Sequence, residues 1–317
     1  MNDKQDSPLI AILGPTASGK SALGIWLAQQ LGGEIVACDS TQLYRGFDVG
    51  TAKPAPKERG GIQHHLIDVL SASEEATAGD YRARAIEVLA KLGEAQRLPI
   101  FTIGTGLYLR ALLEGLANVP VRSEPLRQKL RASTAKRGPG HLHKVLRRLD
   151  PAAATKIAAA DEQKLIRAVE VCLLTRKPLT EVYQSGRKQL EGWRAIKIGL
   201  APERKALVLR VNARTETMLA RGWIQEVRGL IESGMSDDAK PFDFIGYREL
   251  RLVLENKLTL EAARMAIQQA TRQYAKRQMT WFRRESAVCW LEGFGDDPAI
   301  QQAALARVRQ QLGATVP

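Results

Sequence analysis

The stretch "GPTASGKS", residues Gly14 to Ser21, decides how the rest of the chain is read. It fits G-x-x-x-x-G-K-[S/T] at each fixed position, with Gly14, Gly19, Lys20 and Ser21 in place and Pro15, Thr16, Ala17 and Ser18 between them. A short apolar run at 8–13 precedes it and a helical pattern follows through Leu31. A strand, glycine-rich turn and helix in that order aim backbone N–H groups at a phosphate, and the helix N-terminus adds positive potential. Lys20 brings a full charge, and the Ser21 hydroxyl can ligate Mg2+. The motif specifies a di- or triphosphate chain, not the molecule that carries it. ATP is the default occupant, and any other pyrophosphate ester would fit.

Working outward, residues 34–38 read as a second strand ending at Asp39, and 81–96 as a helix. Residues 99–103 read as a further strand, broken by "GTG" before a helix from Leu107. Strands alternating with helices predict an α/β fold, a parallel sheet covered on both faces. In open sheets of this kind ligands bind beyond the carboxyl ends of the strands. Asp39 and Ser40 therefore fall near the phosphate turn, and so does Thr105. The Asp39 carboxylate suits a Mg2+-side residue, a general base or a helix cap, and the Thr105 hydroxyl a site group or a cap. Thr41 and Gln42 are polar groups able to read a base edge or a phosphate. His64 and His65 are adjacent, but the sequence places no further ligands around them, so packed or hydrogen-bonded histidines are the simpler reading.

Composition bounds the remainder. The chain has 317 residues, 44% of them hydrophobic, enough for a large core domain with a smaller one. No apolar run approaches the roughly 20 residues a membrane-spanning helix needs. The start, "MNDKQDSPLI", lacks the basic-then-apolar order of a secretory signal. Cys38, Cys172 and Cys289 are far apart in apolar sequence, which suits buried free thiols in a reducing cytoplasm. The net charge is +13, and residues 118–202 hold 18 Lys and Arg against 7 Asp and Glu, a local net of +11. So concentrated a field suits a polyanion, a phosphodiester backbone first. Helical patterns at 124–136, 141–149, 151–160 and 162–174 make this segment a helical insertion, left by a strand at 193–200 that returns to the core. Within it Gln163 and Arg167 lie one turn apart, on a face suited to a nucleic acid or simply to water. Helices at 203–233, 247–256 and 260–284 follow.

The last of these carries "TRQYAKRQMTWFRRE", 271–285, with five basic and three aromatic residues. Arg272, Lys276 and Arg283 share one side of the helical wheel, with Arg277 and Arg284 beside them. Tyr274, Ala275, Met279, Trp281 and Phe282 fill the other arc. A core helix with a solvated face, a nucleic-acid surface and a membrane-surface helix all fit this pattern alone.

In order along the chain, "GPTASGKS", "DSTQLYRGFDVGTAKP" (39–54), "HHLID" (64–68), "GTGLYLRALLEGL" (104–116), "LDPAAATKI" (149–157), "DEQKLIRAVEV" (161–171), "IGYREL" (245–250) and "TRQYAKRQMTWFR" (271–283) resemble the tRNA dimethylallyltransferase, or tRNA isopentenyltransferase, family. The resemblance spans essentially the whole chain, and the ordered set is far more specific than any one piece. It implies a P-loop NTPase-like core at 1–117 and 203–317, and a mainly helical tRNA-binding insertion at 118–202. It also implies dimethylallyl transfer from the diphosphate to N6 of the adenosine 3′ of the anticodon. By the resemblance, residues 14–21 and Arg214 hold the diphosphate with Mg2+, and Lys20 stabilises the leaving group. Asp39 acts as general base, and Thr105 helps to hold the adenine or the leaving group. It assigns tRNA contact to Asp39, Ser40, Thr41, Gln42, Thr105, Arg127, Gln163, Lys164, Leu165, Ile166, Arg167, Gly246, Tyr247, Arg248, Lys276, Arg277, Gln278, Trp281 and Arg283. The insertion would clamp the anticodon stem-loop against the core.

A cytoplasmic monomer is expected, and the lack of the C-terminal Cys/His zinc-finger extension of eukaryotic relatives suits an enzyme of the bacterial type. On this reading helix 260–284 serves both purposes, Met279 and Phe282 anchoring it in the core while Lys276, Arg277 and Arg283 face RNA. The sequence departs from the family pattern at three places. Ile103 stands for a glycine before the "GTG" turn, Lys164 for an arginine, and Arg176 for a helix-ending glycine that favours a left-handed backbone. A P-loop kinase, a prenyltransferase of free adenylates and a P-loop RNA-binding protein are the competing readings. The first two leave the basic insertion unexplained, and the third has no need of Asp39 and Thr105 beside a phosphate site.

Overall fold

The structure, a computed structural model, describes residues 6–184 and 187–313, so the first half of the N-terminal stretch lies outside it. The chain divides into two units, Met1–Leu113 with Leu190–Pro317, and Glu114–Gln189.

The first unit is built on a six-stranded sheet, parallel throughout, in the order β3-β2-β4-β1-β5-β6. Its strands are β1 (Ser7–Leu13), β2 (Gly33–Cys38), β3 (His64–His65), β4 (Leu98–Ile103), β5 (Trp193–Leu200) and β6 (Val288–Leu291). The period-two alternation of β1 sends its apolar side chains to two different cores. Leu9, Ala11 and Leu13 join one, with Val36, Phe101 and Ile103. Ile10 and Ile12 join the other, with Ile35, Ile100, Ile196 and Ile198. On the second face lie α1 (Lys20–Leu31), through Leu23 and Leu27, and a C-terminal helix (Pro298–Gly313), through Ala304 and Val308. The first face takes α2 (Ala78–Glu94) and α3 (Gly106–Glu114). Thr77 opens α2 with a capping box to Asp80, which starts that helix earlier than residue 81.

The second unit has its own core, in which Leu130, Leu142, Leu146, Leu165, Ile166 and Val169 are buried. It comprises α4 (Glu124–Arg137), α5 (His141–Leu149), α6 (Pro151–Lys156), α7 (Glu162–Thr175) and α8 (Leu179–Gln184). α6 stops short of residue 160, and Asp161 caps α7 by accepting from the Lys164 N–H. At its centre the fully buried Glu170 carboxylate accepts from Ser123 N (2.7 Å), Arg127 Nε (3.1 Å) and Arg167 Nη1 (2.7 Å). Burial pushes its pKa up, but the bonds from Arg167, Ser123 and Arg127 outweigh burial and hold it below the usual carboxylate range.

The insertion is narrower than 118–202. It runs from 114 to 189, because β5 pairs with β1 over its whole length and so belongs to the core. The helix expected over 203–233 is two, α9 (Arg204–Ala220) and α10 (Trp223–Glu232), parted at Gly222 with φ 93°. α11 (Tyr247–Leu254) and α12 (Leu260–Phe282) follow, the Pro298–Gly313 helix being α13. Cys38 and Cys172 are buried free thiols as expected, whereas Cys289 is half-buried. Among the described residues no helix is long and apolar enough to cross a membrane.

Arg176, past the end of α7, adopts the left-handed conformation that glycine would take without strain, with φ 55° and ψ 26°. Its side chain is exposed. Arg176→Gly is therefore expected to stabilise the protein by about 1 kcal/mol, read as a higher denaturant midpoint. A lower midpoint would mean that the arginine side chain stabilises the turn more than its backbone costs.

Candidate active site

β1, β2 and β4 lie side by side and parallel, so the residues that follow them meet at one edge of the sheet. After β1 comes the phosphate-type loop, with Ala17 at φ 65° and Gly19 at φ 88°. Such alternation turns successive N–H groups inward and makes an anion-binding concavity. After β2 comes Asp39. After β4 comes the turn Gly104–Thr105, both of whose N–H groups donate to the Cys38 carbonyl at 2.9 Å. Gly104 cannot carry a side chain here, since a Cβ would fall 2.0 Å from Asp39 Oδ2. Ile103 does not restrict this turn; it ends β4 as an ordinary strand residue, fully buried in the first-face core.

Asp39 Oδ1 accepts from Thr41 N (2.8 Å) and Thr41 Oγ1 (2.7 Å). The Thr105 hydroxyl accepts from Ser40 N (2.9 Å) and donates to Ser40 Oγ (3.2 Å), so it braces the turn that carries Asp39. Lys20 Nζ donates to the carbonyls of Gly14 (2.9 Å) and Pro15 (2.8 Å). Burial pushes the Lys20 pKa down to about 7, with the Asp39 carboxylate opposing and Arg214 reinforcing the shift. Arg214 on α9 donates to Thr16 Oγ1 at 3.2 Å. Its pKa is also lowered by burial, with Asp39 opposing.

Two cavities of about 340 and 530 Å3 open around these groups. Thr16, Asp39, Thr51, Ala52, Arg214 and Tyr274 line both. The larger adds Gly19, Lys20, Ser21 and Gln42, and the smaller adds Ser40, Thr41, Trp223, Phe244, Ile267 and Arg277. Ser18 is fully buried with its hydroxyl unpartnered, so it belongs to the loop's interior and not to a cavity wall.

α12 supplies the third side of the site through Gln278, which the resemblance assigns to tRNA contact but which is taken up inside the protein. Gln278 is buried; its Oε1 accepts from Thr16 N at 2.7 Å and its Nε2 donates to the Gly104 carbonyl at 2.8 Å. Tyr274 donates to the same carbonyl at 3.1 Å. Phe282 and Ala275 are in the core as expected, but Met279 is not. It lines a groove of about 600 Å3 between α9 and α12, together with Leu207, Val208, Arg272, Lys276 and Arg283. Lys276, Arg277 and Arg283 are exposed, and Arg272 donates to Asn212 Oδ1 at 2.8 Å. Trp281 is half-buried, packed on Gly106 and beneath the Arg110 guanidinium.

The remaining sequence-derived candidates divide by exposure. Gly246 and Tyr247 are buried, and Arg248 is exposed. In the second unit Gln163 and Lys164 are exposed, Leu165 and Ile166 are core, and Arg127 and Arg167 are largely taken up by Glu170. His64 Nδ1 donates to the Ile62 carbonyl (2.9 Å), and His65 Nε2 bonds Glu34 Oε2 (2.7 Å), so both are hydrogen-bonded strand residues. Among the described residues no group of three or more His, Cys, Asp and Glu could hold a metal ion. Sequence reading missed the wall at 50–52 and its support, Glu226, which carries no motif of its own.

The profile of the IPP transferase family matches residues 42–285. The tRNA dimethylallyltransferase of Koribacter versatilis (strain Ellin345) is 51% identical over 304 residues, which is 96% of this chain and 99% of that protein. The full-length tRNA isopentenylpyrophosphate transferase of Bacillus halodurans superposes with a TM-score of 0.70 at 33% identity, covering 98% of this chain and 97% of that one. A eukaryotic dimethylallyltransferase, caught in crystals acting on tRNA, superposes with a TM-score of 0.81 at 26% identity, covering 98% and 80%.

The Gln278 bridge gives a direct test of the site's architecture. Gln278→Leu keeps the size but leaves the Thr16 N–H without its partner and removes one donor from the Gly104 carbonyl. A loss of about 2–4 kcal/mol in unfolding free energy is expected, at about 1–3 kcal/mol for each buried group left short. A loss below about 0.5 kcal/mol would show that the bridge contributes nothing net.

Proposed function

We propose that this chain, which belongs to the IPP transferase family, is a tRNA dimethylallyltransferase that uses dimethylallyl diphosphate and Mg2+ and works as a monomer. Its acceptor is N6 of the adenosine 3′ of the anticodon. The observation that carries this reading is the pair of cavities with one common wall at Asp39, Arg214 and Tyr274. One cavity is lined by the phosphate loop, the other by polar and aromatic groups suited to a purine.

The diphosphate rests on loop N–H groups between Ala17 and Ser21, with Lys20 and Arg214 as its cations. The bond from the dimethylallyl carbon to oxygen breaks as the bond from N6 forms, and the electron pair leaves with the diphosphate. Charge growing on that leaving group is stabilised by groups already aimed at it. Asp39 Oδ2 takes the N6 proton, while Oδ1 is held by Thr41, so the carboxylate's orientation is set beforehand. Thr105 serves this step by bracing Ser40, next to the base. The Ser21 hydroxyl and the diphosphate oxygens fit a Mg2+ held largely by substrate and water, which needs no cluster of protein carboxylates. When bound, that ion would neutralise charge on the leaving diphosphate.

The acceptor base is stacked in an anticodon loop and has to be extruded to present N6. The exposed Lys276, Arg277 and Arg283 of α12 and the exposed Gln163 and Lys164 of the insertion are the groups available to RNA. Counterion release at such cations makes binding salt-dependent.

Incubation with labelled dimethylallyl diphosphate and Mg2+, offering tRNA, AMP or no acceptor, tests the reading. Label is expected in tRNA alone. ATP hydrolysis or phosphoryl transfer without label would point to a kinase, and label in AMP to a prenyltransferase of free adenylates. Asp39→Asn should slow transfer by about 100-fold or more while tRNA affinity stays within a few-fold. An equal loss of tRNA affinity would make Asp39 a binding residue.

Lys20 gives a pH prediction with a definite sign. With a pKa near 7 in the free protein, it is charged below that value and binding there draws no proton to it. A bound diphosphate favours the ammonium form, so above 7 binding takes a proton up, and affinity falls by up to about tenfold per pH unit. Titration calorimetry with pyrophosphate at about pH 8, in buffers of different ionisation enthalpy, should show close to one more proton taken up by the wild type than by Lys20→Arg. Equal uptake in the two proteins would contradict the assignment.

A further inference from the structure

Glu226 plays no part in the chemistry above, yet few carboxylates in the core unit are so fully engaged. It lies in the first turn of α10. Oε2 accepts from the backbone N–H groups of Asp48 (2.9 Å) and Val49 (2.8 Å). Oε1 accepts from the Tyr247 hydroxyl (2.6 Å) and, at 3.4 Å, from Gly50 N. Three consecutive amides thus converge on one carboxylate, and bonds to a charged acceptor are roughly twice as strong as neutral ones.

The segment held in this way continues into Thr51 and Ala52, which line both cavities, and Gly50 lines the smaller. Behind it stands a rigid aromatic wall. A Cβ on Gly50 would fall 2.2 Å from Trp223 Nε1 and 2.5 Å from Tyr247 Cε2, so nothing larger than glycine fits between wall and cavity. Tyr247 packs in turn on Phe47, with ring centroids 5.0 Å apart, and on Trp223 at 5.7 Å. From the other side Lys53 donates to the Tyr44 carbonyl and pairs with Asp48 (2.8 Å) and Asp68 (2.5 Å). The Thr51 carbonyl accepts from Gln42 Nε2 at 3.3 Å, which ties a cavity side chain to the same segment.

We propose that Glu226 is a positioning residue for the transfer reaction: it fixes residues 48–52, and through the Thr51 carbonyl the Gln42 amide, as a preset wall for the acceptor nucleoside. The proposal rests on the transferase reading given above. Glu226 acts through the backbone it holds, so its removal loosens the acceptor side of the site and leaves the phosphate loop in place. A glutamine in its place can still accept both the Asp48 and Val49 N–H groups, and its amide can donate to the Tyr247 hydroxyl. Alanine can do neither.

The test compares Glu226→Ala and Glu226→Gln with the wild type by single-turnover transfer to tRNA, pyrophosphate affinity and amide hydrogen exchange. Alanine is expected to slow transfer by about 30-fold or more and glutamine by no more than about fivefold, a range set by the sensitivity of rate to small misplacements. In both, pyrophosphate affinity should stay within about threefold. Exchange protection at residues 48–50 should be lost with alanine while the sheet keeps its own. Glu226→Asp, too short to span the three amides and the phenol, takes alanine's place if that variant does not fold. Transfer unchanged despite lost protection overturns the proposal. So does a parallel fall in transfer, pyrophosphate affinity and sheet protection, which would mark a general structural role. A wild type that transfers nothing overturns the transferase reading and this proposal together, whereas an insensitive variant beside an active wild type overturns this proposal alone.

Discussion

The Gln278 amide is the joint on which the rest of the site depends. Strand pairing brings the loops after β1, β2 and β4 to one edge, but pairing alone leaves those loops free to drift apart. Gln278 accepts from the phosphate loop at Thr16 and donates to the turn at Gly104, across 262 and 174 residues of sequence. Gly104 in turn lies against the Asp39 carboxylate, and its N–H is bound to Cys38. One long helix therefore sets the distance between the anion loop and the proposed base. A buried polar side chain with both ends satisfied is well suited to this, because any slippage would strand a donor or an acceptor.

Around that joint the charges are few and opposed. Lys20 and Arg214 are pushed toward their neutral forms by burial, and the Asp39 carboxylate opposes that shift in both. A diphosphate brought between them would relieve the same desolvation more strongly, since it carries more charge than one carboxylate. The site is thus poised for an anion on one side and keeps an acceptor-only group on the other. The same logic recurs in the insertion, where Glu170 sets Arg127 and Arg167, and at Glu226, where a carboxylate sets backbone.

Much of this was legible in the sequence. The motif at 14–21, the strand-ending Asp39 and the "GTG" turn carry chemistry in their residue types, and parallel pairing places them together. The basic character of 118–202 likewise showed in plain counts. What escaped were features that depend on packing between distant segments. Gln278 reads as a polar residue in a basic stretch until α12 docks on the sheet. Met279 looks apolar enough for the core, but its arc of the helix faces a groove. Leu165, Ile166 and Tyr247 sit inside RNA-type motifs yet serve as core, because the motif's neighbours need something to stand on. β3 and β6, two and four residues long, are too short for periodicity to reveal. The strand at 193–200 was legible as one returning to the core, and its pairing with β1 moves the insertion's end back from 202 to 189.

Asp39 is proposed to lie where a diphosphate site and a nucleoside site meet. A crystal structure with an unreactive thiolo analogue of dimethylallyl diphosphate and an anticodon stem-loop measures this directly. The expected result is a diphosphate on the loop N–H groups between Ala17 and Ser21 and an extruded adenine whose N6 lies about 2.6–3.2 Å from Asp39 Oδ2. A diphosphate bound elsewhere, or an N6 more than about 5 Å from Asp39 with no water between, would contradict it.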